Sequence, residues 1–187
     1  MTPRCGDLLV TPMKKLITER LRLEPVCEGH APEMFPVLAD PALYTCLAAK
    51  PPKSVEELAE RYARQAQGGS PDGKQRWLNW ILRSVNDGDA CAGFVQATLH
   101  TETTGDLGYI LGTAFWGRGL ALEACEAAIT ALLALPGLTT LFATVDRRNV
   151  RSLALLARLG FQRVERDTYP HGVADESDDV YRLERPA

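Results

Sequence analysis

The 187-residue sequence has no pattern that would tie its cysteines into a disulfide framework or a zinc site. It contains five cysteines, an odd number, and no two of them form a C-x-x-C pair. Paired cysteines are what a disulfide-stabilised secreted domain or a zinc ribbon requires. The spacing therefore predicts reduced thiols in a cytoplasmic protein.

Long apolar runs and an excess of basic charge are also missing. No stretch approaches the roughly 20 apolar residues of a membrane-spanning helix, and Leu8-Leu9-Val10 is too short for the core of a signal peptide. With 21 basic and 24 acidic residues the formal charge is −3, whereas duplex nucleic-acid binders normally carry a basic stripe. We therefore expect neither a membrane nor a nucleic acid as partner, and the mild negative charge suits a cationic acceptor such as an amine.

Length and composition fit one globular domain. Hydrophobic residues make up 45% of the chain and charged residues 24%, an ordinary balance for a packed core. Residues 1–14 contain prolines and show no periodicity, so they are predicted to be a flexible N-terminal tail. Residues 15–187 are predicted to form a single domain.

Hydrophobic periodicity predicts the order β, α, α, βββ, α, β, α, ββ. Leu21 and Leu23 alternate with charged residues in a first strand at 16–25, and Ser54 with Glu57 forms a capping box at the start of the second helix. After the β-rich middle, the predicted elements are a helix at 117–135, a strand at 139–145, a helix at 149–159 and strands at 161–166 and 180–183. Strands with interspersed helices predict a mixed α/β fold with helices on both faces of the sheet.

Two glycines form a turn between a strand and the long apolar helix. Gly117 and Gly119 remove the Cβ atoms that would block a close approach to the backbone. The first turn of the helix leaves amides without partners, and the helix dipole favours negative charge there, so a pyrophosphate fits. The segment lacks the Gly-Lys-Ser/Thr of a Walker loop and the third glycine of the dinucleotide fingerprint. A turn that merely shapes the chain explains the glycines equally well.

A second segment begins with Asn149, a good N-cap residue, and ends at Gly160, a good residue for a helix C-terminus. Leu153, Leu156 and Ala157 form its apolar stripe. A plain capped helix would account for Asn149 by itself.

Taken together, the two segments resemble the GNAT superfamily of N-acetyltransferases. The order is a strand, Trp116-Gly117-Arg118-Gly119-Leu120-Ala121, a helix, a strand, then Asn149-x-x-Ser152 and Leu159-Gly160-Phe161. The opening Thr18-Glu19-Arg20-Leu21-Arg22-Leu23 is similar to the first strand of the branch that contains ribosomal-protein N-terminal acetyltransferases. The resemblance covers about residues 15–185. It implies an acyl-CoA N-acyltransferase fold whose central, mostly antiparallel twisted sheet is splayed at the acetyl-CoA site.

The resemblance also implies acetyl-CoA as co-substrate, with no metal. Backbone amides of the glycine turn would bind the pyrophosphate, and the strand before it would lie beside the pantetheine arm. The cofactor-binding residues implied in this way are Tyr109, Ile110, Leu111, Trp116, Gly117, Arg118, Gly119, Leu120, Ala121, Asn149 and Ser152.

Direct transfer to a primary amine is the implied reaction. An amine is mostly protonated at pH 7, so a general base is needed. We predict Asp106 and His100 for this role because their strands should border the acceptor cleft, with Glu102 and His171 as further candidates. The family's usual tyrosine acid is replaced by Leu156. The branch that the chain resembles suggests Ser152, a hydroxyl in the first turn of the helix, as the group that protonates the departing thiolate. Serine in a first helical turn also commonly bonds a backbone amide.

Two other classes of function stay open, together with the acceptor. The chain could be a non-catalytic acyl-CoA-binding module, which Leu156 favours, or a nucleotide-binding α/β protein unrelated to CoA. The acceptor could be a protein N-terminus or a small-molecule amine such as a polyamine, an amino acid or an aminoglycoside. Both a monomer and a homodimer are compatible with the sequence.

Overall fold

A computed structural model of the protein describes residues 13–47 and 49–186. The tail predicted at 1–14 lies outside these residues except for its last two positions. The strands are β1 (Leu16–Ile17), β2 (Leu21–Pro25), β3 (Arg76–Ser84), β4 (Ala90–Leu99), β5 (Thr104–Leu111), β6 (Thr140–Asp146), β7 (Gln162–Val164) and β8 (Asp178–Glu184). The helices are α1 (Ala31–Leu38), α2 (Val55–Gln65), α3 (Leu120–Leu133) and α4 (Val150–Arg158).

All eight strands join in one open sheet, in the order β1-β2-β3-β4-β5-β6-β8-β7. Every pair of neighbours is antiparallel except β5 with β6. The predicted mixed α/β fold with a mostly antiparallel sheet is therefore confirmed. No helix in the part of the chain that the structure describes is long and apolar enough to cross a membrane.

Helices cover both faces of the sheet, as predicted. The strand alternation sends Leu78, Trp80 and Leu82 to the face that packs against α3. Ile81 points to the opposite face, which packs against α1 and α2. Because successive side chains of a strand point to opposite faces, each strand supplies two separate cores.

The element bounds differ from prediction at two places that matter for the site. The single strand predicted at 16–25 divides into β1 and β2, because the Thr18 amide donates to the Leu21 carbonyl at 2.9 Å and closes a turn. The helix predicted from residue 117 begins only at Leu120. Gly117 and Gly119 have φ angles of 71° and 77°, in the left-handed region that interrupts a right-handed helix.

Glu24 on β2 is the centre of a charged network whose strength can be measured by acid titration. Burial by itself raises the pKa of this carboxyl group, but hydrogen bonds from Lys15, Arg83 and His30 outweigh it and lower the pKa to about 2. A carboxyl pKa that is lower in the folded state stabilises the fold above its unfolded pKa, and the gain is lost as pH falls through the folded pKa.

We expect Glu24→Gln to lower the free energy of unfolding at pH 7 by roughly 1–3 kcal/mol. The difference from the wild type should shrink between pH 4.5 and about 2, the ordinary and folded pKa values of Glu24. Urea unfolding followed by circular dichroism at several pH values measures this difference in the free energy of unfolding. The control is Glu60→Gln, the same substitution at an exposed position. A difference that stays constant with pH would contradict the expectation.

Candidate active site

The main opening in the sheet lies between β5 and β6. The two strands pair in parallel only from Thr104↔Thr140 to Asp106↔Phe142. Beyond that point β5 continues bonded to β4 alone, and β6 continues bonded to β8 alone. A cavity of about 630 Å³ occupies the gap, with Gly108 and Tyr109 on one wall and Ala143 on the other. Strand edges separated in this way offer main-chain groups to an extended ligand.

A groove of about 660 Å³ continues from the cavity past the glycine turn and α4. Residues that line both spaces mark where they merge: Thr45, Cys46, Leu47, Tyr109, Ile110, Arg148, Asn149 and Ser152. The cavity and the groove therefore form one continuous cleft, which we call the β5–β6 cleft.

The glycine turn presents unpaired backbone amides to the groove. The left-handed conformations of Gly117 and Gly119 lead the chain into α3, whose N-cap is Gly119. Within the described residues, the amides of 117–122 donate to no other backbone carbonyl. A helix N-terminus with free amides is a favourable site for an anion, because the amides and the helix dipole act together.

Arg118 differs from the other residues of the turn in where its side chain lies. Its guanidinium group donates to both carboxylate oxygens of Asp87, at 2.8 Å and 3.3 Å, and lies over the ring of Phe115. The charge of Arg118 is thus directed to the β3–β4 turn. Its backbone carbonyl accepts from the Arg20 guanidinium at 2.9 Å, and Arg118 is not among the residues that line the groove.

The groove carries two further cations that the sequence motifs did not predict. Arg151 lies 4.3 Å from the centre of the Trp116 ring, and both Arg151 and Arg158 line the groove. They are seven positions apart on α4, which places them on one face of the helix. That spacing is the signal that could have identified them.

Asn149 and Ser152 meet at the start of α4. The Asn149 side chain accepts from the Ser152 amide at 3.2 Å. This bond is the N-cap expected if Asn149 only starts a capped helix. Both residues also line the β5–β6 cleft. Leu156, by contrast, is fully buried in the core, so the position where the family usually has its acid carries no proton donor here.

Tyr109 places a hydroxyl group beside the first turn of α4. Its hydroxyl donates to the Ser152 carbonyl at 3.5 Å, and the residue lines both parts of the cleft. Burial raises the pKa of Tyr109 far above its ordinary range, so the group is protonated at neutral pH. The sequence predicted Tyr109 only as a neighbour of the pantetheine arm, since nothing local shows which side of a strand faces α4.

Asp106 gathers three donors around its carboxylate. His100 Nε2 lies 2.9 Å away, His171 Nδ1 2.8 Å away and the Tyr169 hydroxyl 2.8 Å away. The structure thus brings together the predicted pair Asp106 and His100 with His171, the further candidate, and adds only Tyr169, from the same loop before β8. The four residues lie where β5 and β6 begin to separate, but none of them lines the cleft itself.

This cluster contains the residue types of a metal site. The candidate ligand atoms of His100, Asp106 and His171 lie within 4.8 Å of one another. However, the two imidazole rings are stacked, with centroids 4.0 Å apart and planes at 19°. The lone pair of an imidazole nitrogen lies in the ring plane, and one ion cannot lie in the planes of two rings stacked in this way. These ring positions favour a hydrogen-bonded cluster.

The family model of the acetyltransferase (GNAT) domain matches residues 20–162, which include the glycine turn, both walls of the cleft and Asn149. The chain belongs to the GNAT acetyltransferase family. The resemblance deduced from the two sequence segments is thereby confirmed, and so is the predicted enzyme class, an acyltransferase.

Solved structures of acetyltransferases share this fold along nearly the whole chain. An acetyltransferase of the GNAT family from Bacillus anthracis is 16% identical, with a TM-score of 0.72 over 91% of this chain and 98% of its own. The Salmonella typhimurium enzyme that modifies the N-terminal serine of ribosomal protein L7/L12 is 16% identical, with a TM-score of 0.72 over 92% and 100%. The microcin C7 self-immunity acetyltransferase MccE, in complex with acetyl-CoA and AMP, is 18% identical, with a TM-score of 0.74 over 96% and 100%. At these identities the similarity establishes the fold.

In this GNAT acetyltransferase, every residue predicted to bind the cofactor lines the groove beside α3 except Arg118. Ser152, the predicted acid, lines both parts of the cleft. Asp106 and His100, the predicted bases, lie behind its wall. The roles of all these residues remain predictions.

Proposed function

We propose that this chain transfers an acetyl group from acetyl-CoA to a primary amine, by direct attack and without an acyl-enzyme intermediate. The observation that supports the proposal most strongly is the cleft between β5 and β6, which opens beside a turn with unpaired amides. A long cofactor with an anionic end and an extended arm matches that combination.

Acetyl-CoA would bind along the cleft with its pyrophosphate at the amides of 117–122. Arg151 and Arg158 add positive charge along the groove, and charge-assisted hydrogen bonds of arginine suit phosphate oxygens. The pantetheine arm would pair with the free edge of β5 in the manner of an added strand. The thioester would then lie near Tyr109 and Ser152, where the cavity and the groove merge.

The acceptor would enter from the other part of the cavity, where Asp175 and Asp178 lie on the wall. These carboxylates suit the approach of an ammonium group. One proton of the ammonium group would pass through water to the cluster of Asp106 with its two histidines and Tyr169. The amine nitrogen, now neutral, would then attack the thioester carbonyl carbon. As the carbon–sulfur bond breaks, the thiolate would take a proton from the hydroxyl of Tyr109 or Ser152. The second proton that the attacking nitrogen loses would pass through water to restore that hydroxyl.

A thiol-release assay tests the proposal. Purified protein is mixed with acetyl-CoA and each of several amines: amino acids, polyamines, aminoglycosides and a peptide with a free N-terminal serine. We expect free CoA and an acetylated amine, identified by mass spectrometry, with at least one of these classes. Calorimetric binding of acetyl-CoA without thiol release from any amine would favour the non-catalytic module, which the buried Leu156 also favours.

We expect Asp106→Asn to lower kcat/KM at neutral pH by roughly 10–100-fold, because the shape is kept while the proton acceptor is lost. Activity should recover as pH rises, since a larger fraction of the amine is then neutral. The pH dependence of kcat/KM measures this. Tyr169→Phe is the matched control, because it removes one hydrogen bond from Asp106 but keeps the carboxylate. A pH profile identical to that of the wild type would rule out the base role.

We further propose that residues 15–187 form one catalytic domain. The protein would act in the cytoplasm as a monomer or a homodimer.

A further inference from the structure

The inner end of the β5–β6 cleft, under α2 and away from the glycine turn, contains a buried hydroxyl without a partner. Tyr62 on α2 is 3% exposed and lines the cavity. Within the residues that the structure describes, its hydroxyl oxygen has no hydrogen-bond partner. Buried polar groups are normally paired, so a ligand atom at this position would complete the site.

A cation lies next to this hydroxyl. Arg61 precedes Tyr62 on α2, lines the same cavity and has its guanidinium carbon 5.8 Å from the centre of the Tyr62 ring. No carboxylate among the described residues forms a salt bridge with Arg61, unlike Arg83 or Arg118. Lys50 lines the cavity as well. Positive charge at this end is thus left for a ligand to balance.

The floor of the inner end adds two carboxamide groups. Asn79 on β3 and Gln96 on β4 are directly opposite each other in the strand pairing, and both line the cavity. Gln96 is in turn opposite Gly108 on β5. A Cβ atom at residue 108 would lie 3.3 Å from the Gln96 amide nitrogen. A glycine here therefore keeps the floor open between the carboxamides and the place proposed for the thioester.

Charge is distributed unequally along the cavity. Hydrogen-bond donors and positive charge gather at the inner end, at Arg61, Tyr62 and Asn79. The carboxylates Asp175 and Asp178 lie on the wall formed by β8 and the loop before it. Asp146, on the same side, is already paired with Arg148 at 2.6 Å. An acceptor that carries both a positive and a negative group would match this arrangement. A polycation would instead place a positive charge next to Arg61.

We infer that the acceptor is a small primary amine that also carries a carboxylate, as a free amino acid does. Arg61, the Tyr62 hydroxyl and the Asn79 amide would bind the carboxylate, and the amine would lie toward Gly108 and the thioester. This inference rests on the proposed acetyl transfer and names the substrate class of that same site. Arginine and neutral N–H and O–H donors are the groups that recognise a carboxylate.

The experiment compares each amino acid with its own amide, which keeps the amine and loses the negative charge. We expect kcat/KM for the acid to exceed that for the amide by about ten-fold or more, because the amide leaves Arg61 unpaired. Arg61→Gln and Tyr62→Phe should each raise KM for the acid by about ten-fold and leave KM for acetyl-CoA unchanged. Tyr62→Phe removes only a hydroxyl without a protein partner, so its melting temperature should not fall. Arg64→Gln, at an exposed position of α2, is the matched control.

Several results would overturn the inference while the proposed function stands. These are equal use of acids and amides, preference for a polyamine, or preference for the serine peptide over free serine. Unchanged KM for the acid in both variants would do the same. If the wild type acetylates no amine, the proposed function fails by itself. Calorimetry can then still test the carboxylate site. Binding of an amino acid that Tyr62→Phe weakens would support the site, and absence of amino-acid binding would overturn it.

Discussion

Gly119→Glu should abolish detectable binding of acetyl-CoA in a protein that remains folded. The new carboxylate would stand at the N-cap of α3, beside the amides of 120–122 that are left without acceptors. There it would occupy the anion site and repel the pyrophosphate. We expect the Kd for acetyl-CoA to rise by about 100-fold or more, since charged groups at such a site interact strongly. Isothermal titration calorimetry measures the change.

Backbone strain has to be separated from this electrostatic effect. Gly119 has a φ of 77°, and Gly73 has a φ of 70° in an open loop with no atom within 4 Å of an added Cβ. Gly73→Glu is therefore a matched control, with the same backbone strain and the same charge far from the groove. Ala121→Glu places the charge in the first helical turn without the strain, and we expect it to lose binding too. Normal affinity in a folded Gly119→Glu protein would refute the site.

Tyr109→Phe should lower kcat by about 100-fold with little change in KM for acetyl-CoA, because the lost hydroxyl is needed only when the thiolate departs. Ser152→Ala should lower kcat by about ten-fold or less, since Tyr109 still supplies a proton to the thiolate. Its amide keeps the bond to Asn149 that caps α4, so the helix start should survive the substitution. Tyr181→Phe on β8 is the control for loss of a tyrosine hydroxyl.

The pH dependence gives an independent check on Tyr109. Burial raises its pKa, so the hydroxyl remains a proton donor beyond the ordinary tyrosine pKa near 10. The wild-type kcat should therefore show no decline attributable to this acid below about pH 10. If Ser152→Ala proves far more damaging than Tyr109→Phe, the serine predicted from the sequence is the principal acid.

The features that were predicted correctly from local sequence all depend on residues that are close together along the chain. Ser54 accepts from the Glu57 amide at 3.2 Å, as the first half of the capping box required. Glu57 reaches back to the Lys53 amide at 3.1 Å rather than to that of Ser54, a shift of one residue. Caps and glycine turns depend on residues within about four positions of each other, and so they can be read from the chain alone.

The chemistry of the cleft depends on contacts that no local pattern contains. His171 and Tyr169 reach Asp106 across 65 and 63 positions, and Arg118 reaches Asp87 across 31. The orphaned Tyr62 hydroxyl is recognisable only once α2 is packed over Asn79 and Gln96. Arg151 and Arg158 could have been found from helical spacing, but not the groove that they line.

The sequence by itself determined the order of the main strands and helices, the glycine turn before α3, the cap of α4 and, through their order, the resemblance to the GNAT family. Only the tertiary structure decided that β5 and β6 part after Asp106 and Phe142, that Tyr109 faces Ser152, and that donors gather beneath α2. The reason is physical. Backbone conformation and capping are set by neighbours along the chain, whereas a cleft exists only where distant segments pack and leave some of their polar groups unpaired.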